Sequence, residues 1–449
     1  MVSSSESLRT NCEPVNHSLS RGAILSSCWS KAILVLCLVS ALGAYSLGSI
    51  PIEIIGSVAW IFLLILLMLT GKAVQFSPLF VMSFLLFSGW TSFVTGYNVL
   101  VSPANVPIQM TTPLFGYLLL RLFGLFAFAA VVMVVFYSVN KLGYDLVARR
   151  IVVSGVIVSV ISLYIYLAQI HGWPEPTRTR MGTSGGGQST VFSYAFHRAM
   201  GTFREPSHFA EWLIIPLFLS FQIKMRRIVI ARILMASCLL LTGSLTGIAS
   251  AVIGISYAVF LTLASGRIHR KGVVQIAAIV VFSSVIFNFL VQPYSGNSAS
   301  LFSVIYDRLQ PILDGGMTAS NRGYVYEYMN SIPAPILGSG MGLSNLNFAE
   351  SISSAFPVSF LSLYFNIYYS AGILGLILLV LLLAIPFVPT QRLSFRISSY
   401  PGPLVGAYVA WLVTFAVHSE ELSVSFGIIY GLMLSFQAIS NKELSGRAV

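Results

Sequence analysis

The residues best placed to do chemistry lie in Gly201-Thr-Phe-Arg-Glu-Pro-Ser-His-Phe-Ala-Glu-Trp212. Pro206 suits the first turn of a helix, where a missing N–H costs nothing. A helix starting there has Arg204 just ahead of it and Ser207, His208 and Glu211 in its first two turns. His208 and Glu211, three apart, share a face. The free N–H groups and positive end of that helix add to Arg204, which together describe an anion-binding site. The plain alternative is a set of interfacial polar residues around a helix cap.

Other polar groups are sparser. Asp307, Arg308, Asp314, Asn321, Arg322 and Glu327 fall in one stretch. The acids and Arg308 suit a solvated loop. Arg322 instead leads through an apolar-aromatic run to Gly338-Ser-Gly-Met-Gly342, whose glycines permit close backbone approach to a ligand. His418-Ser-Glu-Glu421 offers a histidine and carboxylates, including Glu420, that can serve as a general base or simply form a hydrated hairpin tip. Arg121 sits inside an apolar run, where a charge pairs with a phosphate or carboxylate or reaches to an interface. No His, Cys and carboxylate set has metal-ligand spacing, and the glycine patterns of nucleotide sites are missing. No metal or cofactor is expected.

The elements holding these residues are set by composition. Of 449 residues, 56% are hydrophobic and 9% charged, against about 25% charged in soluble proteins. A water-soluble globule is excluded. A bilayer core of about 30 Å needs about 20 apolar residues per helix, and twelve stretches qualify: 32–48, 54–69, 78–95, 114–138, 151–170, 209–223, 228–242, 248–263, 273–290, 358–388, 403–417 and 423–438. The expected fold is an all-α polytopic membrane protein of about twelve spans. The net charge of +11 is no sign of nucleic acid. With both termini cytoplasmic, only Arg178, Arg180, Arg198, Arg204, Arg308 and Arg322 fall outside, and Arg121 lies within the fourth span. The remaining Lys and Arg then face inward, as the positive-inside rule requires. The four cysteines suggest no disulfide framework.

The expected organisation is a tail over 1–31, five spans over 32–170, an outer loop over 171–208 and four spans over 209–290. A large outer loop over 291–357, three spans over 358–438 and a tail over 439–449 complete it. Within the large loop, Ile305–Leu309 and Tyr324–Met329 read as short surface helices. The chemistry is expected where the first loop enters the sixth span, with the large loop as a lid carrying Arg322.

Three motifs give a resemblance. Phe203-Arg-Glu-Pro-Ser-His-Phe-Ala210 is similar to a Glu-Pro-Ser-x-Phe-Ala signature. Leu241-Thr-Gly-Ser-Leu-Thr-Gly247 is similar to a Thr-Gly-Ser-Arg-Thr-Gly hairpin, with Leu245 where arginine is frequent. Asn321-Arg322 is followed by Pro335–Gly342, Asn366-Ile-Tyr368 and Gly372-Ile-Leu-Gly375. Over about residues 200–380 the chain resembles the Wzy-type bacterial O-antigen and exopolysaccharide repeat-unit polymerases of the O-antigen ligase and polymerase superfamily.

The resemblance implies a GT-C-like, metal-independent glycosyltransferase of the bacterial inner membrane, acting at its periplasmic face. Donor and acceptor would be undecaprenyl-pyrophosphate-linked glycans, and a polysaccharide chain-length regulator would be its protein partner. Arg204, Arg322, Ser207 and Arg121 would bind pyrophosphate, and Glu205, His208, His418 or Glu420 would be the base. An O-antigen ligase or protein O-oligosaccharyltransferase would share the donor site. A flippase is the rival of another class.

Overall fold

The computed structural model describes residues 17–69, 77–101, 107, 112–180, 197–265, 270–291, 323–394, 401–418 and 422–446, together with 300, 302, 303, 305, 306, 310, 313 and 314. The described chain is mostly helical. The helices are α1 (His17–Val39), α2 (Ile52–Leu69), α3 (Pro78–Val101), α4 (Leu114–Leu142) and α5 (Tyr144–His171), then α6 (Pro206–Leu219), α7 (Ile228–Leu241), α8 (Leu245–Ala264) and α9 (Arg270–Leu290). Two short helices, α10 (Gly323–Ser331) and α11 (Leu343–Ser351), precede α12 (Leu363–Ser394), α13 (Gly402–Val417) and α14 (Val424–Gly446). Strands β1 (Ser46–Leu47) and β2 (Ile50–Pro51) pair antiparallel as a small hairpin.

Six helices, α2, α3, α4, α5, α8 and α12, are long and apolar enough to cross a membrane. Their outer faces expose Phe62, Leu66, Leu69, Met82, Leu86 and Phe93 among many others, a surface that lipid covers and water does not. The protein is a helical membrane protein.

The bundle closes around α6, which buries nearly every residue from Phe209 to Leu219. Small residues bring helices together where lipid gives no hydrophobic drive. A Cβ on Gly254 of α8 would stand 2.4 Å from the Gly406 carbonyl of α13, and Gly427 and Gly431 set α14 against Val131, Val132 and Val135 of α4.

Several expected boundaries shift. The first helix is His17–Val39, so it takes in part of the expected tail and stops before residues 40–48. Those residues looked like span because they are apolar, but Gly48 has φ +60° and the Ala44 N–H is held by the Thr202 carbonyl at 3.0 Å. The sixth helix starts at Pro206, not 209. The tenth expected span begins at Leu363, and the last helix runs to Gly446, beyond the expected start of the tail. In the large loop α10 matches the expected Tyr324–Met329 helix. Leu343–Ser351 was not expected to be helical. Of the other expected helix, residues 307–309 lie outside the described residues.

The long α12 is broken at Gly372 (φ 68°, ψ −171°). Pro335–Gly342 fills the break: Ser339 and Gly340 N–H groups donate to the Tyr369 and Ser370 carbonyls, both at 2.8 Å. The Trp90 indole takes the Ala371 carbonyl at 2.8 Å. Irregular backbone at membrane depth is tolerated where protein satisfies it in this way.

Candidate functional site

Glu205 is extended (φ −139°, ψ 154°) and Pro206 occupies the first turn of α6, as the sequence requires. The turn before it is rigid. Gly201 (φ +53°) sits so close to α5 that a Cβ would overlap the Ser162 hydroxyl. Its carbonyl accepts from Arg178 Nη2 at 2.8 Å. The Thr202 hydroxyl donates to the Ala41 carbonyl at 2.6 Å, and Phe203 stacks on Phe209 with centroids 5.2 Å apart. These contacts fix the backbone from which Arg204 projects.

Arg204, His208, Glu211 and Trp212 line a cavity of about 350 Å³ at one end of the bundle, within the range of about 300–1,000 Å³ usual for small-molecule sites. Opposite them are Glu53 and Ser57 of α2, Leu120, Arg121, Phe123 and Gly124 of α4, Trp411 of α13, and Ser423 to Ser425. Three helices, α2, α6 and α14, begin here, so three positive helix ends point at one space. Ser423 caps α14 by accepting from the Phe426 N–H at 3.2 Å. Two arginines and three helix starts bring positive charge to this cavity, set against the carboxylates of Glu53 and Glu211 that also line it.

Arg121 lies two turns into α4 and lines the cavity. Arg121 and Lys141 lie on the same helix, and the twenty residues between them span about 30 Å, the whole hydrocarbon thickness. Lys141, Arg149 and Lys224 therefore cluster at the end opposite the cavity, where Arg149 Nη2 donates to the Lys224 carbonyl at 3.4 Å. Arg121 Nη2 donates to the Tyr117 hydroxyl at 3.0 Å, and its guanidinium lies 5.0 Å from that ring's centroid.

His418, at the C-terminal end of α13, meets α6 beside the cavity. Its Nδ1 is 3.2 Å from Glu211 Oε1, and its ring centroid is 5.2 Å from that of His208. Glu211 is 4% exposed. The two atoms are close but off the line of a hydrogen bond, since Oε1 accepts none. Among the described residues no three of His, Cys, Asp and Glu are grouped as a metal would need.

A strap closes one side of the cavity. Arg180 Nη1 meets Glu53 Oε1 at 2.6 Å and the Gly43 carbonyl at 2.9 Å. The Ser46 N–H donates to the Thr179 hydroxyl at 2.7 Å. Nearby His197 is buried and stacks on Tyr166. Its Nε2 lies 2.8 Å from Gln169 Oε1. Burial, helped by the Arg178 guanidinium, pushes its pKa down to about 4.

Arg204, His208, His418 and Arg121 are thus brought together. Glu205 and Ser207 point elsewhere: the Ser207 hydroxyl donates to Glu205 Oε2 at 3.4 Å, and neither lines the cavity. Arg322 and Glu420 lie outside the described residues. The Pro335–Gly342 glycines do permit close backbone approach, but what approaches is α12: a Cβ on Gly338 would stand 2.5 Å from the Ser370 carbonyl. Gly342 rests on Tyr117 and Arg121 and so steadies one cation of the site. The second motif is structural too, with Gly247 packed on Ala210 of the first.

The reading from sequence left out Glu53 and Trp411 and gave Glu211 only a helix face. Glu53 had a signal, a carboxylate in the first turn of an apolar helix. Trp411 had none. A scan against protein-family models finds no match to this chain, and a search of the curated proteins finds no relative.

Proposed function

We propose that the chain is a membrane glycosyltransferase that polymerises undecaprenyl-pyrophosphate-linked oligosaccharide repeats into O-antigen or exopolysaccharide at the periplasmic face of the bacterial inner membrane. In this reading α1 to α9 and α12 to α14 make twelve crossings in a GT-C-like arrangement, with both termini cytoplasmic. The cavity end, remote from the Lys141 and Arg149 cluster, faces the periplasm.

One observation carries the proposal: Arg121 and Arg204, far apart in sequence, line one cavity with three helix starts, His208 and Glu211. A lipid-linked donor leaves as a pyrophosphate at the membrane surface, and fixed cations and N–H dipoles stabilise that developing charge without a metal. Arg322 is proposed as a third cation. The acceptor hydroxyl loses its proton to the cluster formed by His208, His418 and Glu211, and by the family resemblance the anomeric carbon inverts. The break in α12 is a feature that transporters share. Here its freed carbonyls are taken by Ser339, Gly340 and Trp90, which favours an enzyme over a flippase.

The test is purified protein with lipid-linked repeats alone. A ladder of longer lipid-linked chains supports polymerisation. Product only after adding a lipid A core or protein acceptor identifies a ligase or protein glycosylase instead. Arg204→Ala and Arg121→Ala each remove a charged donor worth about 1.5–3 kcal/mol, weakening donor binding roughly 10- to 150-fold. Arg322→Ala should likewise stop chain extension. Wild-type rates in all three would remove the pyrophosphate site.

A further inference from the structure

Buried polar atoms almost always find a hydrogen-bond partner. Two exceptions belong to side chains lining the candidate cavity, Glu211 Oε1 on α6 and Trp411 Nε1 on α13. Both side chains are more than nine-tenths buried, at 4% and 3% exposed. Their needs are complementary. The indole N–H can only donate, and an ionised carboxylate can only accept.

A ligand group that serves both must accept from one and donate to the other. A phosphate oxygen suits Trp411 but is repelled by Glu211, and an ammonium suits Glu211 alone. A hydroxyl does both. The two arginines and the helix starts claim the anion, so Glu211 and Trp411 are left for a neutral alcohol in the same space.

We propose that these two residues form the acceptor subsite: a saccharide hydroxyl accepts from Trp411 Nε1 and donates to Glu211 Oε1, which is the catalytic base. This rests on the glycosyl-transfer reading above. As the acceptor oxygen bonds to the donor's anomeric carbon, its proton passes to Glu211. The bond from that carbon to the pyrophosphate oxygen breaks, and its electron pair leaves with the pyrophosphate between Arg204 and Arg121. His418, 3.2 Å from Glu211 and partly exposed, then carries the proton to water. His418 is a relay in this scheme, and Glu205 has no part in the proton transfer.

The experiment uses the full chain in nanodiscs, with the lipid-linked repeat as donor and the same repeat as a soluble glycoside acceptor. Glu211→Gln should lower the extension rate about 10²- to 10⁴-fold, the usual worth of a general base, while donor binding stays within threefold. Trp411→Phe should raise the acceptor KM about tenfold with a much smaller change in kcat. If the wild type extends chains and Glu211→Gln does so at a similar rate, the subsite is refuted, and only water occupies these atoms. If the wild type extends nothing, the glycosyl-transfer reading itself fails. Should Glu211→Gln not bind donor, Glu211→Asp replaces it: a slowed rate with donor bound supports the base, and a wild-type rate overturns it. An unchanged acceptor KM in Trp411→Phe likewise overturns the subsite.

Discussion

Gly372→Ala is the substitution whose cost can be worked most directly from the structure. At φ 68° and ψ −171° the backbone occupies a region essentially restricted to glycine, and forcing another residue there costs about 1–3 kcal/mol. The new Cβ would also lie 2.1 Å from the Ile336 carbonyl oxygen and 2.8 Å from the Leu337 carbonyl carbon. Both are backbone atoms, so relief requires Pro335–Gly342 to move off α12. That movement breaks the Ser339–Tyr369 and Gly340–Ser370 hydrogen bonds, and each exposed carbonyl costs about 1–3 kcal/mol. The sum is about 3–9 kcal/mol, comparable with the whole stability of a typical fold. The assay is thermal unfolding in detergent followed by tryptophan fluorescence. Trp90 reports on the break itself because its indole bonds the Ala371 carbonyl. Gly89→Ala is the control: a Cβ there meets nothing within 4 Å, so it should be neutral or slightly stabilising. A Gly372→Ala protein melting with the wild type would refute this account of the break.

His197 predicts a pH dependence. Its folded pKa, about 4, lies below the ordinary 6.5, so the unfolded chain gains a proton as pH falls below 6.5 while the folded chain stays neutral. Stability should therefore decline between pH 6.5 and 4, by roughly 3 kcal/mol at most, and level off below. His197→Gln should flatten that slope, and parallel melting curves for the two proteins across the range would contradict it. The Glu53–Arg180 pair is partly solvated, with side chains 45% and 20% exposed. Glu53→Gln should cost no more than about 1 kcal/mol, less at high salt. A loss above twice that in a denaturation titration would show the strap to be structural.

The helices were legible because a bilayer demands long apolar runs, and those runs exceed what any soluble alternative would use. Residues 40–48 show the limit: they are apolar enough to resemble span, but glycine conformation and contacts with Thr179, Arg180 and Thr202 take them out of the helix and into a hairpin. In the site, Arg204, His208 and Glu211 were legible from Pro206 and helical spacing alone. His418 is brought to them by the packing of α13 on α6, a contact between residues two hundred positions apart that periodicity does not encode. The glycines of Pro335–Gly342 were legible as a close approach, but not what approaches. A backbone partner and a ligand make the same demand for a missing Cβ.

The break in α12 also bears on how the protein is made. Three side chains of α3 bond groups contributed by much later parts of the chain: Trp90 the Ala371 carbonyl, 281 residues on, Thr95 the Met341 N–H, 246 on, and Asn98 the Gly338 carbonyl, 240 on. At the usual synthesis rate of about 5–20 residues per second, α3 waits roughly 10–60 s in the membrane before those partners exist. The C-terminal half of α3 is thus a late-maturing surface. A chain halted before α12 would display it, and membrane quality control could recognise it as unfinished.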